Sequence, residues 1–315
     1  MTPLALAERV LAGDPRALAR AISLIEDESP VAADLIRAIY PHTGKSYLIG
    51  VTGPPGAGKS TLVDKLTAET RKHNETLGVI AVDPTSPFTG GAILGDRLRM
   101  QTHSSDPDVF IRSMATRGQL GGLARATTDV ALVLDAAGKS LVIIETVGVG
   151  QDEVDIVRTA DISIVILVPG AGDEVQALKA GIMEIADIFV VNKADRDGAD
   201  RTVTAVESNL ALQSYGEGEW RPPIIKTEAT TGRGVPELWE AIKAFRTHSA
   251  SNRVRRLKTR SEFRMRELLT HGFLDHLEAR VLAAGELQQW LDRIAAREVD
   301  PYTCLLYTSD AADEL

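Results

Sequence analysis

The chain has one cysteine, Cys304, so it can form neither an internal disulfide nor a cysteine-based metal cage. Aromatic residues make up 4% of its 315 positions, which leaves the core to aliphatic side chains. Basic residues are outnumbered: 35 Lys and Arg face 44 Asp and Glu, for a net charge of −9. That sign is wrong for a general phosphate-backbone binder, and nucleic acid is not expected as a partner. No apolar run approaches the ~18 residues of a membrane span. The start, Met1-Thr-Pro-Leu-Ala, has no charged segment leading into an apolar one. Membrane and secretory readings therefore fail, and the cytoplasm is the expected compartment. The six histidines show no H-x-x-x-H spacing, so no transition-metal site is indicated. What remains is ordinary globular usage, 44% hydrophobic and 25% charged, in a chain long enough for one large domain with additions or for two domains.

Residues 1–43 carry apolar positions at helical spacing, with Asp14 as an N-cap and Pro15 at the first helical position, and read as a helical N-terminal extension. From Ser46 the period changes. Short β-rich runs at 47–52, 77–82, 109–111, 141–144, 162–168, 188–191 and 224–226 alternate with longer amphipathic stretches. That alternation predicts an α/β fold over 44–248, a mostly parallel sheet flanked by helices in three layers. After about His248 the strand signals stop. Residues 252–297 read as helical, with Leu268, Leu269, Phe273, Leu274, Leu277, Val281 and Leu282 forming one apolar stripe. Such an arm, 249–303, can fold back or pair with a second copy, and pairing into a homodimer is the expectation. The basic cluster at its start, from Arg253 to Arg266, reads as a solvated helical face rather than an anionic partner site. Residues 304–315, Cys304-Leu-Leu-Tyr-Thr-Ser-Asp-Ala-Ala-Asp-Glu-Leu315, resemble the translation of a sequencing adapter and are set apart from the fold.

The sharpest signal is Gly53, Pro54, Pro55, Gly56, Ala57, Gly58, Lys59 and Ser60, followed by Thr61. It fits G-x-x-x-x-G-K-[ST] in full and falls between a strand and a helix, where a phosphate-cradling loop belongs. Glycines let backbone N–H groups wrap negative charge, Lys59 can reach the β- and γ-phosphates, and the Ser60 hydroxyl suits Mg²⁺. Downstream, Asn192-Lys193-Ala194-Asp195 follows an apolar strand. The Asp195 carboxylate can accept from the guanine N1–H and exocyclic amine, a donor pair that adenine lacks, which selects GTP over ATP. Glu228, Ala229 and Thr230 lie where a backbone contact to the guanine carbonyl is expected, although Glu228 stands where serine is usual. Between these poles, Asp83, Asp96 and Glu145 are candidate acids for one Mg²⁺ site, and Gly148 offers an amide to the γ-phosphate. Lys59, Asp83 and Glu145 are thus the candidate catalytic residues. Two glycine-rich segments, 117–124 and 169–174, read either as switch loops or as tight turns. No residue stands out as the one that orients the attacking water, so slow, partner-dependent hydrolysis is expected.

Taken together, residues 53–61, Val82-Asp-Pro-Thr-Ser, the run 89–100, Ile144-Glu-Thr-Val-Gly-Val-Gly-Gln151, 168–173 and Val191-Asn-Lys-Ala-Asp195 resemble the MeaB/ArgK family of P-loop GTPases. The resemblance implies a G-protein chaperone, a homodimer held by C-terminal helices. In such a protein GTP and Mg²⁺ gate adenosylcobalamin loading, and protection or reactivation, of methylmalonyl-CoA mutase or a related B12-dependent acyl-CoA mutase. It also implies a third switch around 150–179, with Lys179 as a residue that moves. Two other readings stand beside it. One is an ATP-dependent kinase of an arginine/ornithine transport system, which Asn192 and Asp195 oppose. The other is a nickel-type metallochaperone, which normally carries a Cys or His cluster that this sequence lacks.

Overall fold

The computed structural model describes the chain except residues 1, 84–100, 104, 116–121, 147–159, 171–184, 278–281, 283–284 and 305–315. It divides into two units, residues 1–256 and 257–315. In the first, three short helices, α1 (Pro3–Leu11), α2 (Pro15–Glu26) and α3 (Pro30–Ile39), precede strand β1 (Tyr47–Thr52). Each has proline in its first turn, where the missing N–H costs nothing. Asp14 caps α2 as expected, accepting from the N–H groups of Arg16 at 2.8 Å and Ala17 at 3.2 Å.

The chain then alternates through α4 (Lys59–Lys72), β2 (Leu77–Asp83), β3 (Val109–Ala115), α5 (Gly122–Ala136), β4 (Leu141–Glu145), β5 (Ile162–Leu167), β6 (Ile188–Val191), α6 (Ala199–Leu210), β7 (Ile224–Lys226) and α7 (Val235–His248). The strands form one seven-stranded sheet in the order β3-β2-β4-β1-β5-β6-β7, and every pairing is parallel. β3 runs to Ala115, beyond the stretch 109–111 legible in the sequence, because Arg112 to Ala115 continue in register with Ile80 to Asp83.

Alternating strand residues serve two faces. On one face Ile80, Val82, Val142 and Ile144 pack with α5 and with Leu6, Val10, Leu18, Ile22, Leu35 and Ile39 of the three N-terminal helices. On the other, Val79, Ile143, Ile49, Val51, Ile164 and Val190 pack against Leu62, Val63 and Leu66 of α4 and Leu238, Trp239, Ile242 and Phe245 of α7. The approach to β1 is pinned by Asp135 at the end of α5, whose buried carboxylate accepts the backbone N–H groups of Gly44, Lys45 and Ser46. β1 is thus fixed at mid-sheet, and the chain winds outward from it in both directions. In open α/β sheets that switch point, at the carboxyl ends of the strands, is where ligands bind.

Among the described residues, the arm expected as one helical stretch carries α8 (Arg253–His276) and α9 (Glu286–Ala295). Gly285, in the left-handed region at φ 81°, is the residue from which α9 starts. Leu268, Leu269, Phe273 and Leu274 of the apolar stripe are exposed, Phe273 to 60%. Among the described residues no helix is long and apolar enough to cross a membrane.

Candidate functional site

The loops that carry the sequence motifs all leave the carboxyl edge of the sheet, around β1. After β1 the chain turns through Gly53 at φ 148° and Gly56 at φ 74°, and α4 starts from Gly58 at φ 88°. Two of these glycines are required by space as well as by angle. A Cβ on Gly53 would lie 2.4 Å from the Ile166 carbonyl oxygen, and one on Gly58 would lie 2.5 Å from Asn192 Nδ2. No side chain caps α4, so its first N–H groups face the loop with no intrahelical acceptor. A helix N-terminus under a glycine-rich loop favours a bound anion.

Lys59 is buried, and its ammonium donates to the carbonyls of Gly53 at 2.7 Å and Pro54 at 3.1 Å. The lysine therefore lies along its own loop, its charge held where phosphate oxygens can compete for it. Ser60 Oγ donates to Glu145 Oε1 at 2.6 Å, and both residues are buried. A hydroxyl and a carboxylate so close offer the hard oxygen pair that Mg²⁺ takes, and their chemistry fits that ion. Thr146, the next residue, ties this corner to β1: its N–H donates to Val51 O and its hydroxyl to Thr52 Oγ1, both at 3.0 Å.

On the opposite side of the loop, Asn192 follows β6 and is 1% exposed. Its Nδ2 donates to Ala57 O at 2.8 Å, while its Oδ1 accepts from Thr227 Oγ1 and from the Ala229 N–H, each at 3.1 Å. One buried amide thereby joins three loops. Lys193, in the left-handed region at φ 56°, extends its ammonium to Gly56 O at 2.6 Å. Asp195 is exposed, with its carboxylate open to a ligand.

The segment after β7 closes on itself. Glu228 and Arg233 form an antiparallel bridge, with the Glu228 N–H donating to Arg233 O at 2.9 Å. Gly234, at φ 80°, makes the turn into α7, and a Cβ there would lie 2.1 Å from Lys226 O. Glu228 serves this loop through its backbone, so glutamate in place of serine leaves the loop intact. Thr230 is exposed.

Gly53, Pro54, Gly56, Ala57, Gly58, Lys59 and Ser60 are thus brought together with Glu145, Asn192, Lys193 and Ala229. Pro55 is exposed on the loop and Thr61 half-buried on α4. Asp83 ends β2 at the same edge of the sheet. Its side chain, Asp96, Gly148 and Lys179 lie outside the described residues, as do 117–121 and 171–174 of the two glycine-rich segments. Sequence reasoning missed Thr52, Thr146 and Thr227, which bind loop to loop; their one signal is a threonine at or just past the end of a strand.

A family model described as methylmalonyl-CoA mutase-associated GTPase MeaB matches residues 18–284. A Pyrococcus abyssi protein named as a GTPase is 52% identical over 303 residues, covering 95% of this chain and 93% of its own. GTPase ArgK of Escherichia coli is 35% identical over 311 residues, 96% of this chain and 94% of its own. The mitochondrial methylmalonic aciduria type A homologue of Mus musculus is 32% identical over 285 residues, 84% of this chain and 69% of its own. The crystal structure of a LAO/AO transport system kinase superposes with a TM-score of 0.74 at 29% identity, covering 98% of this chain and 97% of that one. With the phosphate loop and the Asn192 junction in place, these matches make this chain a P-loop GTPase of the MeaB family.

Proposed function

We propose that the protein is a Mg²⁺-dependent GTPase that services an adenosylcobalamin-dependent acyl-CoA mutase of the methylmalonyl-CoA mutase type. The observation that carries the nucleotide part is the Asn192 junction, which fixes the base-reading turn against the phosphate loop so that one nucleotide can engage both. In this reading Lys59 leaves the Gly53 and Pro54 carbonyls for the β- and γ-phosphates. Asp195 accepts from the guanine N1–H and amine, and the loop at Ala229 offers backbone N–H to the guanine carbonyl. Ser60 and Glu145, with Asp83 and Asp96, hold Mg²⁺, and the Gly148 amide meets the γ-phosphate. The bound ion supplies neutralisation of charge on the phosphoryl oxygens. The chain's own contribution is to position the triphosphate and to change the shape of its switch segments with nucleotide state.

The client rests on the family, whose description names methylmalonyl-CoA mutase, and on the mouse relative named for methylmalonic aciduria. Pairing of two copies through the exposed stripe of α8 completes the proposal. The kinase reading draws on the name of the solved relative and requires ATP and an acceptor protein. Asp195 opposes it, since adenine would leave that carboxylate without donors. The experiment is turnover of GTP and ATP with and without the adenosylcobalamin-dependent mutase of the same genome. GTP-selective turnover that changes on adding the mutase supports the proposal; ATP preference, or phosphate transfer to a second protein, sinks it.

A further inference from the structure

Beneath the phosphate loop, α4 carries a second polar junction that the nucleotide reading does not use. Asp64 follows Ser60 by four residues, so the two lie on one helix face, about 6 Å apart along the axis. Asp64 is 8% exposed, and its Oδ1 accepts from Thr102 Oγ1 at 3.0 Å and faces His103 Nε2 at 3.2 Å. The same imidazole nitrogen lies 3.1 Å from the Asp64 backbone oxygen, so both oxygens of one residue converge on one histidine nitrogen. The Lys65 ammonium stands 3.5 Å from Asp64 Oδ2. Thr102 and His103 belong to the short 3-10 turn Gln101–His103, the first described chain after the stretch that leaves β2 at Asp83 and contains Asp96.

An apolar contact would suffice to rest a turn on a helix. A buried carboxylate instead costs free energy unless its partners are in place, so it fixes the register and direction of what it holds. It holds this turn one helical turn below Ser60. We propose that Asp64 is a positioning residue for GTP hydrolysis: with Thr102 and His103 it sets where the chain downstream of Asp83 and Asp96 rejoins the phosphate-loop helix. The inference rests on the proposed reading of this site as one that hydrolyses GTP. It separates binding from turnover, because the base contacts and the phosphate contacts at Gly53 to Lys59 lie outside the turn Gln101–His103 that it positions.

The test is steady-state GTP hydrolysis and GDP affinity for Asp64→Ala, His103→Ala and His103→Gln, the last of which keeps a side-chain N–H donor. Both alanine variants are expected to lower kcat about tenfold or more, with KM for GTP and affinity for GDP within about threefold of the parent. His103→Gln should restore most of kcat. Unchanged kcat in His103→Ala overturns the inference, as does a joint loss of kcat, KM and GDP affinity with a lowered melting temperature, the mark of a merely structural anchor. Should Asp64→Ala fail to fold, His103→Ala on the turn carries the test alone. Asp96→Asn run in parallel separates the two readings. An unaffected Asp96→Asn beside an impaired His103→Ala removes Asp96 from the metal site and keeps the positioning role; the reverse removes the positioning role and keeps the metal site.

Discussion

In the proposed function Asn192 and Asp195 divide the work of base recognition between a buried residue and an exposed one. Asn192 is buried and directs its amide to Ala57, Thr227 and Ala229, and so ties the base-reading turn to the phosphate loop. Asp195 is exposed, and in the proposed function it carries the selectivity. Replacing it with asparagine substitutes an amide for one of two acceptor oxygens, a loss of about 1.5–3 kcal/mol, or roughly 10–150-fold. Asp195→Asn is therefore expected to lower kcat/KM for GTP by that factor while leaving kcat/KM for ATP within about threefold, measured as parallel turnover. Gly58 is the second residue that decides. Alanine there combines a φ of 88° with a Cβ 2.5 Å from Asn192 Nδ2, so the amide must leave Ala57. Gly58→Ala should weaken nucleotide binding about 5–150-fold, by the ~1–3 kcal/mol such strain costs, and titration with a fluorescent GDP would measure it.

At the scale of elements, β6 links the proposed base-reading turn at one end to a half-buried acid at the other. Asp187, just before β6, accepts from the Ser163 N–H at 2.8 Å and meets Arg256 at 3.3 Å, and its backbone oxygen takes the Trp220 indole N–H at 2.8 Å. Burial pushes its carboxyl up to about 6, against the opposing pull of Arg256 and the Ser163 N–H. A carboxyl raised in the folded state binds its proton more tightly there than in the unfolded chain. This group's contribution to stability therefore grows as pH falls from about 6 toward 4 and is lost as pH rises through 6, the reverse of an ordinary salt-bridged acid. Against Asp187→Asn, the parent should gain up to about 1.4 kcal/mol per pH unit across that window, read from denaturant melts at pH 4.5, 5.5 and 7.

The legible part of the fold has the same local character. β1, β6 and β7 appear where runs of apolar and β-branched residues end in Gly or polar residues, and the Gly53 to Ser60 loop falls between β1 and α4 as its spacing requires. What sequence did not disclose joins distant positions. Asp135 meets Gly44 to Ser46 from 89 to 91 residues away, and Asp64 meets Thr102 and His103 from 38 and 39 away. An isolated aspartate carries no mark of which turn it will satisfy, so neither junction could be read before the fold brought its ends together.

For the whole molecule, composition excluded more than it specified. The net charge of −9 coexists with a basic stretch of α8, where Arg255, Lys258 and Arg266 are exposed. The aliphatic and aromatic stripe that follows them is exposed as well. A single chain leaves such a stripe in water at an unfavourable cost, and the proposed pairing of two copies would remove it. Phe273→Glu is expected to shift sedimentation from dimer to monomer while GTP turnover without mutase stays within about twofold, since the nucleotide loops belong to residues 1–256. A monomeric parent, or a dimeric Phe273→Glu, would remove α8 as the pairing face.

Nucleotide reading, switch segments and client meet in one quantity, the change in GTP turnover when the mutase is added. Measured with equal concentrations of GTP and ATP as competing substrates, the predicted result is hydrolysis confined to GTP and altered severalfold by the adenosylcobalamin-dependent mutase of the same genome, with Asp195→Asn losing the preference for GTP. Turnover of ATP at a comparable rate, or GTP turnover indifferent to the mutase at saturating concentration, would contradict it.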